Sequence, residues 1–168
     1  MKKNVVIFIV AGLFINSIAS SQIVKRNLFT IERNKNANVV MYDVRLNNDG
    51  SIDKFNPIDV YWILYAKHGQ REEITALERR AYGIKLVNGN NSSTDYNLTL
   101  RAIPDRMIRL TIKQDKPRAE IKINNKEAYL STVYVFAKDG LIPKILYYVL
   151  TGIEIKTGMK VSEKITPR

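Results

Sequence analysis

Side chains that alternate between apolar and polar with a period of two leave a chain few options, because only a half-buried β-strand sends successive residues to opposite faces. This chain alternates in that way over most of its length, and helical periodicity is scarce. Residues 39–46 place Val40, Tyr42, Val44 and Leu46 on one face. Residues 58–66 place Ile58, Val60, Trp62, Leu64 and Ala66 on one side and Asp59, Tyr61, Ile63 and Tyr65 on the other, so both faces are substantially apolar, as in a strand covered on two sides. The same pattern marks residues 28–32, 96–102, 107–113, 119–123, 129–137, 145–155 and 159–165. Short strands spaced this evenly predict a mainly β, single-domain antiparallel barrel or sandwich of about eight or nine strands.

Turn chemistry punctuates the series. Asn47-Asn48-Asp49-Gly50, Asn124-Asn125-Lys126 and Asp139-Gly140 read as turns, since Asn, Asp and Gly tolerate the positive φ that tight hairpins demand. Pro104 and Pro117 are expected in connections, and residues 88–94 read as a polar loop. One short helix of about two turns is expected after residue 74. Thr75 caps it, Glu78 completes a T-x-x-E capping box, Leu77 and Ala81 supply part of a buried stripe, and Gly83 ends it.

Residues 1–21 read as an export signal: Lys2 and Lys3 precede an apolar run from Val5 to Ile15, followed by the small residues Ser17, Ala19, Ser20 and Ser21. The run is too short to span a bilayer comfortably, which takes roughly 20 apolar residues. The expected domain is therefore 22–168, in the periplasm or outside the cell, with cleavage after Ser21 or Ala19. No Cys is present to carry a lipoprotein anchor.

Chemistry is bounded mainly by what is missing. With no Cys and one His, a disulfide scaffold, a thiol nucleophile and the Cys- or His-rich metal sites are excluded, and no cofactor is expected. An EF-hand frame around Asp49-Gly50 would place Arg45, a donor, at the first ligand position, and no glycine-rich phosphate loop is present. The charge is the positive feature: 27 Lys and Arg against 16 Asp and Glu. The signal carries only two of those cations, so the basicity belongs to the domain. A basic exported surface favours lipid headgroups or an anionic envelope polymer, and nucleic acid is not an expected partner. Arg101, Arg109, Lys113, Lys122, Lys156 and Lys160 would form a basic outer field, diluted by Glu120 and Glu154, if their strands are neighbours.

Three blocks carry a resemblance: residues 28–42 (LFTIERNKNANVVMY), Asn56-Pro57-Ile58-Asp59-Val60-Tyr61-Trp62, and Glu78-Arg79-Arg80-Ala81-Tyr82-Gly83. Together they resemble an exported bacterial domain family of unknown function. The likeness is sharpest from Leu28 to Gly83, and it implies no catalytic residue.

The candidate ligand-binding residues follow from those blocks: Asp59, Tyr61, Trp62, Arg79, Arg80 and Tyr82. Pro57 disfavours helical geometry at Asn56 and so opens a strand that carries Trp62 inward, where its N–H needs a partner. Asp59 is a polar handle if its side of the strand lines a cavity and an ordinary strand charge if that side meets solvent. Solvent is expected, since a buried charge needs a partner. His68 with Glu72 or Glu73 could form the base of a metal-independent hydrolase, but no nucleophile or G-x-S-x-G elbow accompanies it, and a charged turn is the expected setting. The leading functional expectation is a non-catalytic binding module of the cell envelope. Its ligand is apolar and enclosed by the sheet, or anionic and held on the basic exterior. A domain that docks another envelope protein is the alternative.

Overall fold

The longest strand organises the molecule. In the computed structural model, which describes residues 26–87, 95–138 and 144–167, this strand is β9 (Lys126–Lys138). One of its edges pairs first with β8 (Lys116–Ile123), over Lys126 to Tyr129, and then with β1 (Asn27–Arg33), over Thr132 to Val135. The other edge is taken by β10 (Lys144–Glu154), which pairs in turn with β11 (Lys160–Ile165). The sheet therefore forks at β9. One branch continues from β1 through β2 (Asn36–Val44) and β3 (Ile58–Leu64) to β4 (Gln70–Glu73); the other runs from β8 through β7 (Ile103–Lys113) and β6 (Asp95–Leu100) to β5 (Ile84–Leu86). A single helical turn, α1 (Arg79–Tyr82), lies between β4 and β5 in the chain, and the whole sheet curls into a half-barrel.

The fork is written in side-chain parity. Ala128 and Leu130 are buried, then the phase changes so that Val133, Val135 and Ala137 are buried and Ser131 is exposed. An extra residue of this kind bends a strand and raises its twist. The pairing register shifts at the same level, between Thr151 and Gly152 on β10. Gly152 is required there, because a Cβ would overlap the Tyr129 carbonyl and crowd Ile123. Where β1 ends, Asn34 prolongs its ladder with a side chain: Nδ2 donates to the Ala137 carbonyl at 3.0 Å and Oδ1 accepts from the Ala137 N–H at 2.8 Å.

Among the described residues the mainly β architecture with one short α-helix is as the alternation predicts, and each stretch read as a strand contains one, although Tyr65 and Ala66, read as the end of the 58–66 strand, leave it for a 3-10 turn (Tyr65–Lys67). The half-barrel resolves the choice between barrel and sandwich. The pairing of β1 with β9 is parallel, which hairpin logic does not anticipate. Two strands escape the alternation altogether. β4 reads Gln-Arg-Glu-Glu and is exposed throughout, so it has no apolar phase to detect, and β5 is only three residues long. Pro104 and Pro117 lie inside β7 and β8 rather than in connections, each as the second residue of its strand. Pro117 sits opposite Ile112, next to the Lys113 and Lys116 pair that closes the hairpin. In a two-residue hairpin that position makes no ladder bond to its partner, so the missing N–H costs little.

Asn124 and Asn125 turn the chain with φ of 50° and 62°, as their composition predicts, and Gln114 and Asp115 do the same at 51° and 59° without a glycine or asparagine to announce them. Gly50, at φ 81°, closes the turn from Asn47. The Asp139-Gly140 turn and the 88–94 loop fall outside the described residues.

Candidate functional site

The concave side of the half-barrel holds an apolar cavity of about 180 Å³ where the two branches diverge from β9. Ile31 contributes from β1, Leu100 and Ile103 from β6 and β7, Val133 and Val135 from β9, and Tyr148 from β10. Ala81 and Tyr82 of α1 form another wall. The volume is comparable to the roughly 150 Å³ apolar cavities that stay dry and admit a benzene ring. Among the described residues one charged side chain reaches this lining: Arg33, half-buried at the end of β1 on the same face as Ile31. Among the described residues its guanidinium has no hydrogen-bond or ion-pair partner.

A short polar relay holds α1 against the sheet. The Glu78 carboxylate accepts from the Thr75 N–H and Oγ1, each at 2.8 Å, while the Glu78 N–H donates to Thr75 Oγ1 at 3.2 Å. This is the predicted capping box, and Thr75 to Gly83 is the predicted helical segment, wound tightly enough only at Arg79–Tyr82 to form a full turn. The other carboxylate oxygen accepts from the Trp62 indole N–H at 3.1 Å. Trp62, inward on β3, meets the Tyr82 ring edge to face at 5.2 Å between centroids. The buried Tyr42 hydroxyl donates to the Tyr82 carbonyl, and Tyr42 stacks on Phe29 at 4.4 Å. Burial would raise the Glu78 carboxyl, but the Thr75 and Trp62 donors outweigh it and hold the group below the usual glutamate range. Burial, with Tyr82 adding, pushes the Tyr42 phenol well above its ordinary value.

The structure departs from the sequence reading in how this helix is seated. Leu77 is 72% exposed rather than part of a buried stripe, and Ala81, also exposed, reaches only the rim of the cavity. Tyr82 and the preceding Ile74 pack against the core instead. Gly83 does end the helix, though not through a left-handed conformation. Its φ is −67°, and the Gly83 N–H donates to the Arg79 carbonyl at 3.0 Å, so close that a Cβ would overlap that oxygen.

The candidate residues therefore divide between three places. Trp62 and Tyr82 meet behind the cavity wall, and Arg79 and Arg80 are exposed on α1. Asp59 and Tyr61 lie on the opposite, outer face of β3. Asp59 is ion-paired to Arg45 at 2.8 Å and Arg71 at 2.9 Å. Burial would raise its carboxyl, but the two arginines win and lower it. The Arg71 guanidinium also lies 3.8 Å over the Tyr61 ring, and the Tyr61 hydroxyl donates to Asp43 at 2.8 Å. Burial and that hydrogen bond push the phenol up to about 12. This outer constellation is internally neutralised.

His68 is exposed in a left-handed turn at φ 56°, and the carboxylates expected to orient it are engaged elsewhere, Glu72 with Lys67 at 3.9 Å and Glu73 with Arg71 at 2.7 Å. The strand cations do not make one open field. Lys113 pairs with the buried Glu120 at 2.5 Å, Arg109 with Asp95 at 3.1 Å and Lys122 with Glu127 at 3.6 Å. Among the described residues no group of three or more His, Cys, Asp and Glu could hold a metal. Arg33 is the residue that sequence reasoning missed, although β1 carries the signal: Arg33 falls in the same alternating phase as Phe29 and Ile31, an inward position where an unpaired charge is costly.

Comparison with curated proteins gives no match, and comparison with solved structures gives none. A family model described as a domain of unknown function, DUF4833, matches residues 29–164, a span that contains both the N-P-x-x-V-Y-W and the E-R-R-A-Y-G blocks, and the chain belongs to that family.

Proposed function

We propose that the protein is an exported binding module of the bacterial envelope that takes the apolar end of a small anionic amphiphile into the half-barrel cavity. The observation that carries this reading is Arg33, a cation that has no partner among the described residues and lies in a lining otherwise apolar among them. A buried or half-buried charge without a partner is expensive, and a ligand carboxylate or phosphate would supply the partner while its tail covers Ile31, Val133 and Tyr148. At about 180 Å³ the cavity takes one ring or the end of a chain, with the rest of the ligand outside. The Trp62, Glu78 and Thr75 relay has a positioning role in this reading, since it fixes the wall formed by Ala81 and Tyr82. The reading is supported by residues 1–21, which fit an export signal, since an exported module would meet lipids and other amphiphiles. No catalytic step is invoked.

The test is native mass spectrometry of the protein recovered from its own envelope. A co-purifying anionic amphiphile, lost from an Arg33→Ala variant, is the expected result. A ligand-free wild-type protein that takes up no medium-chain carboxylate on addition would contradict the reading.

A further inference from the structure

A second groove, of about 420 Å³, opens between the start of β3, α1, and β5 with the turn after β6. Its floor is apolar, with Ile58, Ile74 and Ile84, and its cations are Arg79, Lys85 and Arg101. Among the described residues no acidic side chain lines it. The three cations are exposed, and among the described residues none of their charged groups has a hydrogen-bond or ion-pair partner. The contrast is with the larger groove over β7 and β8, of about 700 Å³, where Asp105, Glu120 and Glu127 sit among the cations and neutralise them. At the edge of the smaller groove, Phe55 is 84% exposed, the most exposed large apolar side chain among the described residues.

We propose that this groove docks the protein on a membrane by receiving the phosphate of an anionic phospholipid, with Phe55 entering the interface beside it. Charge complementarity selects this occupant. Three cations brought together without an acid repel one another, and an anionic headgroup relieves that repulsion where chloride or water does so poorly. An apolar floor and an exposed aromatic ring add what a free anion cannot use, the burial of hydrocarbon at the headgroup boundary. The site draws on the two most specific blocks of the chain: Asn56 and Pro57 line it from one side and Arg79 and Gly83 from the other. It is independent of the cavity's occupant, since Arg33 lines only the cavity.

The test is co-sedimentation of the full chain with vesicles of phosphatidylcholine alone and of phosphatidylcholine with an equal part of phosphatidylglycerol, at low and at physiological salt. Three forms are compared: wild type, the Arg79→Ala, Lys85→Ala, Arg101→Ala triple variant, and a control with Lys116→Ala, Lys156→Ala and Lys160→Ala. All share one N-terminus, so differences between them isolate the mutated surface. Binding to the anionic vesicles is expected to fall about tenfold or more in the groove variant, by much less in the control, to weaken with salt, and to fall in Phe55→Ser. An Arg33→Ala variant binds the vesicles like wild type. Equal loss in groove and control variants would reduce the effect to net charge and overturn the proposal. So would displacement by inorganic phosphate, but not by chloride at matched ionic strength, from a groove that binds both vesicle types equally, because the site would then hold free phosphate.

Discussion

The indole N–H of Trp62 donates to Glu78 at 3.1 Å, and the same carboxylate closes the capping box on Thr75, so one side chain joins β3 to the turn that walls the cavity. Glu78→Ala removes both contacts at once and is expected to destabilise the fold by about 1–2 kcal/mol, while Glu78→Gln, whose single amide oxygen can accept from Thr75 or from the Trp62 N–H but not from both, is expected to cost about 0.5–1 kcal/mol. Urea unfolding measures the difference. Trp62 is the one tryptophan in the chain, so its emission also reports whether the wall has moved.

Acid should loosen the same contact. The folded Glu78 carboxyl lies below its ordinary value of 4.5, so the stability it contributes is fully present above the unfolded value and is lost as pH falls through the folded one. Asp59, held down by Arg45 and Arg71 against its burial, adds a contribution of the same sign. Trp62 emission is expected to change with a midpoint below 4.5, and Glu78→Gln to remove that step. A step that survives in the Gln variant would assign it to another group.

Gly83 and Gly50 predict opposite reasons for intolerance. Gly83→Ala drives a Cβ into the Arg79 carbonyl at ordinary φ and is expected to cost about 2–3 kcal/mol and to displace α1. Gly50→Ala meets open space but sits at φ 81°, and should cost only about 1–2 kcal/mol with α1 in place. Thermal unfolding with Trp62 emission separates the two.

Ala137 faces the cavity from β9, and Ala137→Leu is expected to fill it. Stability should change by less than about 1.5 kcal/mol, because added methyl groups enter existing space. Uptake of an apolar ligand, followed by displacement of a fluorescent fatty-acid analogue, should be lost.

The parts of the fold legible in the sequence are those whose signal is local. Alternation locates the strands from Leu28 to Ile165, and Asn124-Asn125 and Thr75 with Glu78 announce their turn and cap, because each depends on neighbours in the chain. The parallel pairing of Ile31 with Val133 is not legible, since it joins segments about a hundred residues apart and either would satisfy an antiparallel partner as well. β4 is invisible for a different reason: Gln70 to Glu73 pair with β3 as an exposed edge and bury nothing. The site was half visible. Of the candidate residues Tyr82 lines the cavity and Trp62 packs against Tyr82 behind it, but Asp59 and Tyr61 follow the strand's period to the outer face, and the same alternation sends Arg33 inward.

The proposed recognition of a small anionic amphiphile rests on Arg33 together with the apolar cavity. Isothermal titration calorimetry with octanoate and with octanol, on wild type and on Arg33→Ala, tests it most directly. The tail is common to both probes, so the charge is the variable. Wild type is expected to bind octanoate about tenfold or more tighter than octanol, the range of a hydrogen bond to a charged group, and Arg33→Ala to bind the two alike. Equal affinity for both probes in wild type, or a preference for octanoate that persists without Arg33, would contradict the account.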